Sequence, residues 1–113
     1  MSRQIQKHFV VVLCTVPSEE VGRRIALDLV EKKLAACVNR VGPIESIYWW
    51  KGHVQVDAEY QLIIKTEASH LDELLVEIRA IHPYEVPEFV VIPAQIPFSA
   101  YADWLKKALS KEG

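Results

Sequence analysis

The stretch that decides the fold is residues 36–66, which read ACVNRVGPIESIYWW, then KG, then HVQVDAEYQLIIKT. In the second run, apolar and polar side chains alternate over residues 54–64, which is typical of a strand with one buried face. Lys51-Gly52 between the runs is typical of a two-residue hairpin turn, in which glycine takes a positive φ. The sequence therefore predicts a long antiparallel hairpin that turns between Trp50 and His53.

The register of this hairpin follows from matching its apolar faces. Pairing Trp50 with His53 sets Trp49 opposite Val54 and Ile47 opposite Val56. A first strand of fourteen residues at ~3.3 Å each extends about 46 Å, while a compact domain of this size has a diameter of only about 35 Å. The hairpin must therefore bend or project. Gly42-Pro43 interrupts the first strand and predicts a bulge or bend there.

The rest of the chain places other elements around this hairpin. Residues 8–16 are apolar on both alternation faces and indicate a buried strand, and Ser18 is a suitable cap for a following amphipathic helix. Ser69 matches the S-x-x-D capping pattern for a second helix, which His82-Pro83 should end. A short strand at 89–92 and a helix near 101–108 follow. The order predicts an α+β, ferredoxin-like split βαβ fold (β-α-β-β-α-β plus a C-terminal helix). Its antiparallel sheet has strand order 4-1-3-2 and helices on one face, in one domain over 1–113 with its core at about 8–109.

Two features predict an assembly of several copies. The first strand and the 89–92 strand are apolar on both faces, yet the chain supplies helices for only one face of the sheet. The overlong hairpin would also offer unpaired strand edges, which proteins commonly satisfy by pairing with another chain. Both features predict an oligomer with contacts between sheets.

Composition excludes several functional classes. The 113 residues carry a formal net charge of −2, so no basic excess indicates nucleic acid. The longest uncharged run, 89–102, is shorter than the ~20 apolar residues that span a bilayer. No signal peptide is visible, which makes the cytoplasm the expected location.

The two cysteines, Cys14 and Cys37, form no zinc motif and are expected to be reduced thiols. No catalytic motif occurs, so the chain is not expected to be an enzyme.

Six motifs, in order and with similar spacing, resemble the CutA divalent-cation-tolerance proteins. They span nearly the whole chain, from about Phe9 to Leu109, and comprise VLCT at 12–15, LAACVN at 34–39, SIYWWKG at 46–52, IKT at 64–66, HPYEVPE at 82–88 and YADW at 101–104. The resemblance implies a ferredoxin-like protomer in a tight homotrimer. It also implies a cytoplasmic protein connected with tolerance of copper and other divalent cations.

Where copper binding is ascribed to this family, the resemblance implies ligands from the first strand and from the end of the second helix. Cys14 matches the cysteine and His82 matches the second of two adjacent histidines. The first histidine position is occupied by Ile81, so one implied ligand is missing. The expected cofactor is therefore copper or another divalent cation, bound at Cys14 and His82 with modest affinity.

Four residues are candidates for a cleft beside His82: Lys65, Tyr84, Glu85 and Glu88. Four others are further pocket candidates: Cys37, Trp49, Tyr101 and Trp104. Each also has a purely structural interpretation, as a packing or solvated side chain, and a buried free cysteine behaves as a small apolar residue. Because Trp49 and Trp50 are adjacent in a strand, they must point to opposite faces unless the strand bulges. One of them therefore needs a partner, most simply a neighbouring subunit.

Three functional classes remain open, in this order. The first is a metal-binding trimer, and the second is a trimeric small-molecule sensor or interaction scaffold without a physiological metal. The short Lys51-Gly52 turn argues against a sensor gated by a long loop. The third is an enzyme, for which the sequence offers no set of nucleophile, base and orienting group.

Overall fold

A computed structural model describes residues 8–111 of the chain. Its elements, in order, are β1 (Phe9–Val16), α1 (Glu19–Glu31), β2 (Cys37–Trp50), β3 (His53–Glu67), a short 3-10 turn (Ala68–His70), α2 (Leu71–Ile81), β4 (Val90–Ala94) and α3 (Ser99–Leu109). The four strands form one antiparallel sheet in the order β2-β3-β1-β4. The predicted α+β fold class, strand order and hairpin are therefore confirmed.

The hairpin has the predicted register. Trp50 pairs with His53, and the apolar pairs Trp49–Val54 and Ile47–Val56 follow it. Both turn residues have positive φ, 51° at Lys51 and 83° at Gly52, as a tight hairpin turn requires. The register shifts between Val41 and Ile44, so the predicted irregularity at Gly42-Pro43 is confirmed. The radius of gyration is 15.2 Å, above the ~13 Å of a compact domain of this length.

The main core lies between the sheet and the two crossover helices. Alternate β1 residues, Val10, Val12, Cys14 and Val16, are buried there against a layer of helix and β3 side chains. That layer comprises Ile25, Leu29, Leu62, Ile64, Leu74 and Ile78. The hydroxyl of Thr66, also buried, donates to the backbone oxygen of Leu34 at 2.8 Å. This core fixes β1 as a central strand and thereby the positions of the loops at its end.

The helix termini show one confirmed cap and one incorrect prediction. Ser18 caps α1, because its Oγ accepts a hydrogen bond from the backbone N–H of Val21 at 3.2 Å. Ser69 does not cap α2: it lies within the 3-10 turn, and its hydroxyl is 3.3 Å from Nδ1 of His70 instead. The turn tightens the chain before the helix, so the serine is one residue too early to reach the free N–H groups of the first turn. α2 ends at Ile81, directly before His82-Pro83, as predicted.

The face of the sheet that points away from α1 and α2 is only partly covered. α1 and α2 cover the predicted face, whereas α3 packs in a second small cluster with Phe9, Ala36, Leu105 and Leu109. Phe9 and Val10 are consecutive strand residues and point to opposite faces. On the Phe9 face, Val11 and Leu13 are half-buried, and Val90 and Ile92 of β4 are exposed. An apolar strip of this face is therefore exposed to solvent in the protomer, in accord with the two-sided apolar pattern of the sequence.

Candidate functional site

A large cavity lies where the hairpin passes the loop that follows α2. It has a volume of about 670 Å³ and is open on one side. One wall comes from β1 and the hairpin: Thr15, Ser46, Ile47, Tyr48, Trp50 and Glu59. The other wall comes from the loop: Pro83, Tyr84, Glu85, Val86 and Glu88. We call this cavity the hairpin pocket. It falls within the roughly 300–1,000 Å³ of small-molecule sites.

A buried histidine attaches the loop to the sheet. Nδ1 of His82 accepts a hydrogen bond from the backbone N–H of Tyr84 at 3.0 Å, so the other nitrogen, Nε2, carries the ring proton. Nε2 donates to the backbone oxygen of Thr15 at 2.8 Å. Burial lowers the pKa of His82, and the Thr15 hydrogen bond and the charge of Glu59 oppose that shift only in part. The neutral imidazole therefore fixes the start of the loop against the end of β1.

A buried carboxylate holds the same loop from the hairpin side. Glu59 is only 4% exposed, and its Oε2 accepts a hydrogen bond from the Tyr84 hydroxyl at 2.5 Å. Burial and this hydrogen bond to Glu59 raise the pKa of Tyr84. Nearby, the Gln61 amide donates to Glu88 at 3.1 Å. Both walls of the hairpin pocket are thus joined by hydrogen bonds that need no ligand.

The two residues implied as metal ligands, Cys14 and His82, are not among the lining residues of the hairpin pocket. Cys14 is fully buried on the helix side of β1, and burial, with the charges of Glu88 and Glu59, raises its thiol pKa to about 12. Both ring nitrogens of His82 are engaged in hydrogen bonds. Within residues 8–111, no group of three or more His, Cys, Asp or Glu is arranged to hold an ion. The role of Cys14 and His82 as metal ligands remains a prediction. Before His82 can bind a metal ion, its ring must give up one of these two hydrogen bonds.

The structure separates the predicted pocket residues into two groups. Tyr84, Glu85 and Glu88 line the hairpin pocket. Lys65 and Tyr101 line a smaller cavity, of about 240 Å³, under α3. Cys37 lies beside this second group because it pairs with Lys65 across the sheet, and Trp104 lies beside it because its ring centroid is 5.5 Å from that of Tyr101. Trp49 belongs to neither cavity.

Several pocket residues escaped the sequence analysis. Trp50, not Trp49, faces the hairpin pocket, and Trp49 is 73% exposed. Glu59 was missed because alternation placed it on the polar face of β3, and only the folded loop covers that face. Thr15, Ser46 and Tyr48 carry no motif of their own. One usable signal existed: Glu59 pairs with Ile44, directly after the predicted bulge at Gly42-Pro43, and bulges often re-aim side chains at functional sites.

The comparisons with known proteins give a consistent result. A family model described as CutA1 divalent ion tolerance protein matches residues 10–108. The Divalent-cation tolerance protein CutA of Thermus thermophilus is 50% identical over 97 residues, which cover 86% of this chain and 94% of that protein. The chloroplastic Protein CutA 1 of rice, Oryza sativa, is also 50% identical, over 88% of this chain. The matched region is 56% of that protein's length, and the chain likewise spans about half of the Arabidopsis thaliana relative, at 54%.

Solved structures agree with this result. The crystal structure of CutA1 from Oryza sativa superimposes with a TM-score of 0.88 at 47% identity, covering 92% of this chain and 95% of that one. The Cut A1 protein of Thermus thermophilus gives 0.85 at 48% identity, covering 88% and 97%. The described helices include none that is long and apolar enough to span a membrane.

Proposed function

We propose a function from one premise: this chain belongs to the CutA1 divalent ion tolerance protein family. The protein acts in divalent-cation tolerance as a homotrimer that binds copper or another divalent cation with modest affinity. The observation that carries the proposal is the family match over residues 10–108, together with 50% identity to a bacterial protein named for divalent-cation tolerance.

The ligand geometry supports modest affinity. To bind a metal, Cys14 must lose a proton from a thiol with a pKa of about 12, and His82 must release Thr15 or Tyr84. Metal ligands bind in their deprotonated forms, so both requirements weaken the apparent affinity at neutral pH. Two protein ligands are also fewer than tight sites use. Copper is the ion that the proposal favours, because a site of N and S ligands binds Cu²⁺ more tightly than it binds other first-row divalent metal ions.

A copper titration tests this site. Cu²⁺ is titrated against a competing chelator into the parent, His82→Ala and Ile81→His, which restores the implied pair of histidines. Ala80→His is the matched control, because residue 80 is exposed on the same helix. We expect His82→Ala to weaken binding and Ile81→His to tighten it more than the control does. Unchanged affinity in both variants would show that the metal does not bind here.

The trimer is supported by exposed apolar surface on the hairpin. Ile47, Trp49, Val54 and Val56 share one face as cross-strand pairs and are 64%, 73%, 54% and 57% exposed. We call this set the hairpin stripe. Contiguous apolar patches of this kind mark protein contacts. The uncovered strip around Val90 and Ile92 is a second such surface, so a neighbouring copy would bury both.

A small-molecule sensor or interaction scaffold without a physiological metal is the second candidate function. The size and aromatic lining of the hairpin pocket favour it. Native mass spectrometry of protein purified without added metal distinguishes the two, since it reports the oligomer mass together with any retained ion or metabolite. A retained organic mass with no metal would favour the second candidate.

The proposal assigns the protein no catalytic activity and no nucleic-acid or membrane partner, and it places the protein in the cytoplasm. In the described residues, neither Thr15 nor Ser46 of the hairpin pocket has a hydrogen-bonded base to activate its hydroxyl. Two free cysteines suit a reducing compartment. Relatives in other compartments are known by name, among them the chloroplastic rice protein. Cell fractionation with a tagged chain tests the location.

A further inference from the structure

The hairpin pocket is far larger than a bare metal ion needs. A volume of about 670 Å³ accommodates a small organic molecule, whereas an ion site requires three or more ligand atoms converging within about 2.0–2.6 Å of one point. Among residues 8–111 no such convergence of His, Cys, Asp or Glu exists. Whatever fills this pocket must therefore contact separate polar groups across several ångströms.

The lining is acidic and aromatic together. Three glutamates, Glu59, Glu85 and Glu88, line the pocket, and no lysine, arginine or histidine is among its lining residues. The apolar surface comes from side chains on both walls: Ile47, Tyr48, Trp50, Pro83, Tyr84 and Val86. The negative charge of the pocket also acts on the interior of the fold, because Glu88 and Glu59 contribute to the raised pKa of Cys14. An anion would be repelled from such a pocket, and a cation with an apolar part would be complementary to it.

Two of the three acidic groups, Glu59 and Glu88, are held in place before any ligand arrives. The Tyr84 hydroxyl binds Oε2 of Glu59, and no hydrogen bond among the described residues uses Oε1. The side-chain amide of Gln61 holds Glu88 by donating a hydrogen bond to its carboxylate. Preorganised acceptors gain affinity because less conformational freedom is lost on binding. Trp50 already attracts a cation, since the ammonium of Lys51 lies 5.6 Å from its ring centroid.

We propose that the hairpin pocket binds a small organic cation, with its ammonium group at Glu59 and Glu85 and its flat apolar part against Trp50. This inference rests on the second candidate function and names the class of its ligand. An ammonium donates three hydrogen bonds and accepts none, which matches a wall of carboxylate acceptors. The aromatic ring of Trp50 adds apolar and ring-stacking contact with the flat part of the ligand. Lys51 at the hairpin tip is the internal competitor for that ring.

The test uses three probes of nearly equal shape. They are 2-phenylethylammonium, the neutral 2-phenylethanol and the anionic phenylacetate, titrated calorimetrically into the full chain at pH 7 and low salt, where charge effects are least screened. We expect the cation to bind about tenfold more tightly than either analogue, as a charge-assisted hydrogen bond predicts. Equal binding of the neutral probe, or no binding of the cation, would overturn the proposal.

Variants locate the site. Glu59→Gln keeps an acceptor for Tyr84 but removes the charge, and Glu85→Gln makes the same change at an exposed position that does not threaten folding. Glu73→Gln, on the surface of α2 and away from the pocket, is the matched control. We expect about fivefold or greater weakening for Glu59→Gln, a smaller loss for Glu85→Gln and none for the control. If no folded pocket variant weakens binding more than the control does, the inference is wrong.

The copper titration keeps this inference separate from the metal proposal. Cation-probe binding that Cu²⁺ does not displace would support the organic-cation site. If the parent protein binds Cu²⁺ but does not bind 2-phenylethylammonium, only the organic-cation site is overturned.

Discussion

The imidazole of His82 donates from Nε2 to the backbone oxygen of Thr15 at 2.8 Å, across 67 residues of sequence. The same ring accepts from the N–H of Tyr84 through Nδ1. One side chain therefore connects the end of β1, the end of α2 and the loop wall of the hairpin pocket. This dual role explains why a polar residue is buried here: both of its nitrogens are satisfied, as buried polar groups require.

Removing this histidine should destabilise the protein. His82→Ala leaves the Thr15 oxygen and the Tyr84 N–H without their partner, and each such loss costs about 1–3 kcal/mol when the group stays buried. Urea unfolding at one fixed protomer concentration measures the effect. His70→Ala is the control, because the hydrogen bond of the His70 ring is to the exposed Ser69 hydroxyl, and the change should alter stability by less than about 0.5 kcal/mol. Equal stability of both variants would contradict the role of His82.

Stability should fall as the solution becomes acidic. Burial lowers the pKa of His82 below the 6.5 of the unfolded chain. The unfolded state therefore binds more protons near that pH, and stability rises with pH. The contribution of His82 is complete above about pH 6.5 and decreases below it, until the lower pKa of the folded state is reached. Unfolding curves from pH 5 to 8 should show a smaller acid loss in His82→Gln than in the parent. A parallel pair of curves would exclude His82 as the cause.

The thiol of Cys14 should be protected from a bulky thiol reagent in the folded protein. It is fully buried and its pKa is raised to about 12, so little reactive thiolate exists at pH 8. Denatured, non-reduced protein should show two free thiols per chain. In Cys37→Ser, the remaining Cys14 should react with a thiol reagent only as fast as the protein unfolds. Rapid modification of the native variant would show that β1 opens locally.

The proposed homotrimer should persist on dilution to low micromolar concentration. Sedimentation velocity should give three times the protomer mass, because separating the copies would expose the hairpin stripe. Val56→Lys places a charge within that stripe and should shift the mass toward the protomer. Val76→Lys is the control, since Val76 is 70% exposed on α2, outside the stripe. A protomer mass for the parent would refute the assembly.

Much of the fold followed from local patterns in the sequence. The turn at Lys51-Gly52 and the matching of Trp49 with Val54 set the hairpin register, because both depend on neighbours along or across one turn. His82-Pro83 set the end of α2, because proline restricts the residue before it. The capping prediction at Ser69 failed for a similarly local reason: the 3-10 turn shifted the start of the helix.

The hairpin pocket depended on tertiary structure. Whether Trp49 or Trp50 faces it, and whether Glu59 is solvated or buried, is decided only when the loop after α2 folds over the hairpin. Alternation assigns each side chain to a face of its strand but does not state what covers that face. The sequence by itself thus determined the elements, their order and the family resemblance. Only the tertiary structure decided that Thr15, Glu59 and the 82–88 segment meet, since hydrogen bonds join them across long stretches of chain.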